Sequence, residues 1–255
     1  MILTNETLIA GFVFLGLAGA SLGALATYER LPAHHRADET YNLVRVIGNL
    51  FVVMTSLVLG LTINSAKNTF ESIDDNVHVF ATELILLDRS LRHYGPETGP
   101  ARELLSIYLK GVTRDADADT RAYAIDDRRS EQLLTQAGRE IDAIKPPDAQ
   151  KMTVWQDVRQ HYQKVVGLRW MLIEQSEGDI PRALLVMLVA WLLVIFASLG
   201  YRAPRNAAIG VTFVASAGLL AASIYLILDM EKPFAGAIQV SSAPLQRALA
   251  EIQAK

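Results

Sequence analysis

The sequence contains no cysteine in 255 residues, which excludes disulfides, thiolate metal sites and cysteine nucleophiles. It has no P-loop, no GxSxG, no HExxH and no carboxylate pair of convincing geometry, so nothing in it asks for an enzyme. No stretch alternates apolar and polar residues with period two, and no sheet is expected. There is no basic cluster, and a formal net charge of −3 speaks against a nucleic-acid partner. Charge itself is scarce. Only 20% of residues are Asp, Glu, Lys or Arg against 51% apolar, which excludes a disordered chain.

That scarcity is local. Four windows carry no charged residue: Thr7–Tyr28, Val46–Ala66, Ala183–Tyr201 and Asn206–Leu228, together one third of the chain. The stretch Asn64–Arg182 instead holds 16 of the 24 Lys and Arg and 20 of the 27 Asp and Glu. A soluble protein with a single core is thereby excluded. About 20 apolar residues at 1.5 Å rise cross the ~30 Å hydrocarbon layer, so each window is long enough for a membrane helix. The expected fold is all-α: an integral membrane protein with four transmembrane helices and a helical bundle between the second and third. The domains are then a transmembrane hairpin over 1–66, a bundle over 67–182, a second hairpin over 183–228 and a C-terminal tail over 229–255. The first window ends at Ala24-Leu25-Ala26, which resembles a signal-peptidase site. Met1–Glu6 has no Lys or Arg, however, and the apolar run is longer than a signal core, so the helix reads as retained.

An even number of spans puts both termini and the bundle on one side. Lys and Arg near the helix ends divide about evenly between the two sides, so the positive-inside rule leaves orientation open. In the first window Gly19 and Gly23 form a GxxxG pair, which permits close helix packing in lipid or is the ordinary small-residue content of such helices.

The second window does not stop at the membrane surface. Phe70, Ile73, Val77, Phe80, Leu84, Leu87 and Leu91 follow 3-4 spacing over three heptads, and Ile63 and Ala66 carry the phase back into the window. One helix of about 45 residues is predicted from Val46 to His93, ending at Tyr94-Gly95-Pro96. Helices follow near Pro100–Thr113, Asp127–Lys145 and Asp148–Glu177. A polar connection at Arg114–Ala124 precedes the second of these, and Pro146-Pro147 precedes the third. Leu134, Ala137, Ile141 and Ile144 form one inward face, and Trp155, Val158, Tyr162, Val165 and Leu172 another. Asp179 is a plausible N-cap before Pro181.

Arg45, Asn49, Val52, Ser56, Gly60, Ile63 and Lys67 recur every three or four residues and stay within a stripe of about 80°. A small, polar stripe closed by a cation at each end suits a helix lining an aqueous path for anions. From the residues alone, two interhelical hydrogen-bond partners, Asn49 and Ser56, between snorkelling cations are the more ordinary reading. Asp115, Asp117, Asp119 and Asp126 have calcium-loop spacing, but Thr120 stands where the sharp turn needs glycine, so a solvated acidic connection is expected. His34-His35 has no carboxylate cluster nearby, and His78, His93 and His161 stand alone on helices. No metal and no cofactor is expected. Asp88 and Arg89 cannot face each other at adjacent positions, so each should pair with another helix.

Leu57-Val58-Leu59-Gly60-Leu61, Ser65-Ala66-Lys67, Leu86-Leu87-Asp88-Arg89-Ser90-Leu91, Tyr94-Gly95-Pro96-Glu97 and Ala101-Arg102 occur in that order, followed late in the chain by Asp229-Met230-Glu231-Lys232-Pro233-Phe234-Ala235-Gly236. In this the chain resembles a bacterial membrane family of unknown function described as bestrophin-like, over nearly its whole length. True bestrophins are more distantly similar, through layout and a tail that opens Pro-Phe-x-Gly. They are pentameric anion channels with a pore lined by the second helix, and with termini and insert in the cytoplasm. The resemblance therefore implies a homo-oligomer in the bacterial inner membrane, with the bilayer and small anions as partners. It implies a constriction near Val52, Ser56, Leu59 or Ile63. Ala237-Ile238-Gln239-Val240 replaces the acidic run of calcium-activated members, so calcium gating is not implied, and the aromatic-rich neck is missing. Asp229, Glu231, Pro233, Phe234 and Gly236 then read as a helix-end motif that docks the tail. The alternative is a non-conducting adaptor or sensor whose heptad seam binds partner helices.

Overall fold

The computed structural model describes residues 5–30, 32, 38–117, 128–176 and 181–254. They form eight α-helices: α1 Asn5–Thr27, α2 Asp38–Tyr94, α3 Gly99–Asp117, α4 Arg128–Ala143, α5 Ala149–Gln175, α6 Arg182–Gly200, α7 Ala207–Met230 and α8 Ala243–Gln253. No strand occurs among the described residues. Four helices are long and apolar enough to cross a membrane: α1, α2, α6 and α7. The chain divides into two compact units, one of residues 1–67 and 179–231, the other of 68–178 and 232–255.

In the first unit α1 packs against α6 and α7. Val13 and Leu17 meet Leu188, Leu192 and Phe196 of α6 and Ala217, Ala221 and Ile224 of α7 in one apolar core. The closest approach is at Gly200, where a Cβ would collide with the Ser21 carbonyl. Only glycine allows the backbones to meet there. Asn206 caps α7 by accepting from the Ile209 amide at 2.8 Å. Arg205 donates to the carbonyls of Leu25 and Ala26 at 3.2 and 2.9 Å, supplying the open C-terminal end of α1 with a cation.

The second unit holds residues 68–94 of α2 with α3, α4, α5 and α8. The heptad seam is its spine: Ile73, Val77, Phe80, Leu84, Leu87 and Leu91 are all buried in its core, with Phe70 packed alongside. The turn after α2 needs Gly95, whose φ of 133° lies in the region open to glycine. Thr98 closes that turn by donating to the Leu91 carbonyl at 2.7 Å. Lys151 donates to the Tyr94 carbonyl. After the two prolines Asp148 starts α5, accepting from the Lys151 amide at 2.7 Å. Trp155 donates to the Ile141 carbonyl at 3.0 Å and Tyr162 to that of Leu134 at 3.1 Å, stitching α5 to α4.

The structure departs from the sequence reading in several places. Helix α2 begins at Asp38 rather than Val46, and its 57 residues span about 85 Å. Its extra turns are polar, but Asp38 and Glu39 in the first turn suit the positive end of the helix dipole. Helix α3 runs to Asp117, into residues expected to be connection, so Asp115 and Asp117 fall in its last turn. Asp119, Asp126 and His34-His35 lie outside the described residues, as does Asp179. Ile63 is exposed, and Thr62 and Ala66 take the buried positions there. Ile144 lies beyond the end of α4, half-buried. The C-terminal tail, expected to be docked by its opening motif, carries α8, whose Leu245, Ala248 and Ile252 join the bundle core.

Candidate functional site

Within the membrane, α2 has three faces. Gly48, Thr55, Thr62 and Ala66 are buried, with Phe51, Val58 and Leu59 half-buried beside them. This face packs on the chain's own helices. A Cβ on Gly48 would come within 2.6 Å of the Ser198 hydroxyl, and the rings of Phe51 and Trp191 lie 6.4 Å apart. About 100° round the helix lies the predicted stripe. Arg45, Asn49, Val52, Ser56, Gly60, Ile63 and Lys67 are exposed without exception. A further ~100° round lie Leu43, Val46, Leu50, Val53, Leu57 and Leu61, each between 60 and 68% exposed. Leaving such side chains in water costs roughly 1.5–3 kcal/mol apiece, so lipid or another copy must cover them.

The stripe makes no hydrogen bond to a neighbouring helix through its two polar uncharged side chains. Ser56 donates to the Val52 carbonyl of its own helix at 2.7 Å. Among the described residues Asn49 bonds to no other helix either. Gly60, Gly19 and Gly23 have nothing within 4 Å of a Cβ position, so all three face open space in the single chain. Among the glycines of the apolar helices, close contacts fall instead on Gly48, Gly200 and Gly16, the last 3.2 Å from Leu193. Glycine spacing does not reveal this, because which glycine meets a backbone depends on the neighbour.

The Arg45 end of the stripe borders a cavity of about 360 Å³ between α2, α6 and the start of α7. Tyr41, Arg45 and Asn49 line it from α2, and Tyr201 and Arg202 from the connection after α6. Arg202 sits at a φ of 64°, unusual for a side-chain-bearing residue. It pairs with Asp38 and lies over the Tyr41 ring, 5.1 Å from its centroid. Tyr28 and Tyr201 meet edge to face at 5.1 Å.

The bundle holds the charged motifs. Asp88 is buried and receives Arg92 at 2.7 Å and Arg102 of α3 at 2.8 Å, while Arg89 reaches Glu251 of α8 at 2.8 Å. Both adjacent residues thus pair with other helices. Arg92 also donates to the carbonyls of Glu251, Ile252 and Ala254, closing the C-terminal end of α8. Burial alone would raise the Glu83 carboxyl. Hydrogen bonds and charge from His161, at 2.7 Å, and Lys164, at 3.3 Å, outweigh it and hold the carboxyl below the usual range.

Near the tail motif, Tyr225 donates to buried Asp229 at 3.3 Å. Pro233 accepts from the Val240 amide at 2.8 Å, Phe234 packs against the bundle core, and Gly236 takes a φ of 135°. The sequence reading missed Arg169. It fills the gap between Val165 and Leu172 on the inward stripe of α5 and is 2% exposed. Its guanidinium lies beside the Tyr108 hydroxyl, whose pKa burial pushes up against the pull of that cation. Unbroken spacing through position 169 was the available signal. Among the described residues no three His, Asp or Glu converge on a metal position.

The family model of the bestrophin-like domain matches residues 15–245. Among solved structures the chain is similar to a bacterial bestrophin homologue from Klebsiella pneumoniae. A tryptophan-to-alanine variant of that protein aligns with TM-score 0.71 and 14% identity over 98% of this chain and 97% of that one. An isoleucine-to-threonine variant gives TM-score 0.68 and 15% identity over 95% and 98%. The structure phased by zinc anomalous scattering gives 0.67 and 15% over 94% and 96%. No curated protein matches the chain.

Proposed function

The chain belongs to the bestrophin-like family, and from that membership we propose that it is a passive anion-selective channel whose pore is lined by α2. It is a membrane protein of four apolar helices with the bestrophin fold. In this reading copies assemble around a common axis with Arg45, Asn49, Val52, Ser56, Gly60, Ile63 and Lys67 towards it. The observation that carries the proposal is the exposure of all seven beside a face of the same helix that is packed. Each copy contributes a cation at either end, and rings of positive charge concentrate anions at both mouths. Between them the Ser56 hydroxyl can turn its proton from the Val52 carbonyl to a passing anion. Five copies is the number that the resemblance to bestrophins implies, and in this reading termini and bundle lie in the cytoplasm of a bacterial inner membrane. Gly19 and Gly23, open in the single chain, are then positions for packing between copies.

The adaptor reading needs a free heptad seam, and that seam is occupied by the chain's own bundle core. Conduction is tested by recording purified protein in planar bilayers. The expected outcome is an anion-selective current whose preference weakens or reverses in Lys67→Glu. Absence of any current, or selectivity unchanged by that substitution, refutes the proposal.

A further inference from the structure

The cavity beside Arg45 is amphipathic. Its mouth carries two guanidiniums, Arg45 and Arg202, and two phenols, Tyr41 and Tyr201. Five apolar side chains, Val52, Ile195, Leu199, Ile209 and Phe213, make up most of the remaining lining, with Asn49 and Ser198 among them. Asp38 pairs with Arg202, which leaves one net positive charge at the mouth among these three groups. No described carboxylate pairs with Arg45. A second cavity of about 420 Å³ lies on the other flank of Gly48, lined by Ala24, Val44 and Val194 among others, and has no charged residue in its lining.

We propose that the cavity between α2, α6 and α7 binds an anionic phospholipid, with its phosphate on Arg45 and Arg202 and an acyl chain along Ile195, Leu199 and Phe213. Two forked guanidiniums suit a phosphate diester, and phenols at the mouth suit the depth of lipid headgroups. A free inorganic anion gains the same charge contacts but makes no use of the five apolar side chains, against which it would shed water. A hydrocarbon chain is the group that such side chains favour. The apolar cavity beside it accepts hydrocarbon but does not select a headgroup charge. Arg45 belongs both to this site and to the stripe assigned to the pore, whereas Arg202 and Phe213 lie outside that stripe.

The test uses full-length protein reconstituted into vesicles of equimolar phosphatidylglycerol and phosphatidylcholine, then released for native mass spectrometry. Wild type should retain one phosphatidylglycerol per chain in about tenfold preference to phosphatidylcholine, the scale of one charge-assisted contact. Arg45→Gln and Arg202→Gln should each remove most of that preference. Phe213→Trp, which enlarges one of the apolar side chains, should lower retention of either lipid at this site while the protein stays folded by circular dichroism. Millimolar inorganic phosphate should not displace the lipid. Equal retention of the two lipids, unchanged preference in both arginine variants, displacement by inorganic phosphate, or no retained lipid because a second copy fills the cavity would each overturn the proposal. Loss of lipid with conductance intact in Arg202→Gln or Phe213→Trp, both outside the stripe, separates this site from the pore.

Discussion

Asp88 shows at the scale of one residue how the bundle is held. Its carboxylate is buried, takes one guanidinium from its own helix and one from α3, and keeps Arg92 aimed at the last carbonyls of α8. Removing one member of a buried ionic cluster strands the others, typically at a cost of about 3–5 kcal/mol. Asp88→Ala should therefore lower the melting temperature in detergent markedly, whereas Arg89→Ala, whose partner Glu251 is exposed, should shift it little. Glu83 gives the pH dependence. A carboxyl held low in the folded state stabilises the fold above its unfolded pKa, and that contribution disappears as pH falls through the folded value. Melting temperature should drop as pH is lowered below about 4.5, and Glu83→Gln should flatten that acid limb. An acid limb unchanged in the variant would remove Glu83 as its cause.

At the scale of the element, α2 distributes its glycines by role. Gly48 faces Ser198 at a distance no Cβ can take, while Gly60 faces open space on the stripe. Gly48→Leu should destabilise the packing of α2 on α6, seen as loss of monodisperse protein in size-exclusion chromatography. Gly60→Ala should leave folding intact or gain about 0.5–1 kcal/mol, since glycine is the poorer helix former. In the channel reading, any change in current in this variant then reports on the path rather than on the fold. Helix α8 also belongs to this scale. Its apolar positions recur at 245, 248 and 252, a pattern legible in the sequence, yet eleven residues form a stable helix only where a core receives them.

For the whole molecule, the uncovered apolar face of α2 sets the expectation. Six large aliphatic side chains beside the polar stripe cannot all face the same water-filled path, and in a ring they lie against lipid or the adjacent copy. Native mass spectrometry should give a single closed oligomer, five copies if the resemblance to bestrophins carries that far. A monomer would contradict the shared axis. Val53→Asp, which introduces a charge on the aliphatic face, should disrupt assembly more than Ser56→Ala, on the stripe.

The sequence by itself determined what is local and periodic. Charge-free windows gave the spans because every uncompensated charge in hydrocarbon is costly, and 3-4 spacing gave the seam of α2 because a helix repeats its face every 3.6 residues. The ordered motifs from Leu57 to Gly236 were enough to read the family. Tertiary structure decided what depends on residues far apart in the chain. Arg102 and Glu251 became the partners of Asp88 and Arg89, Arg169 came to lie buried beside Tyr108, and Arg202 met Asp38 across more than 160 positions. The same holds for glycines: Gly19 and Gly23 carry the recognised spacing, but Gly48 and Gly200 meet neighbouring helices. Periodicity fixes which face a residue is on. What that face meets is set by packing, because contact energies act between surfaces and not between positions in the sequence.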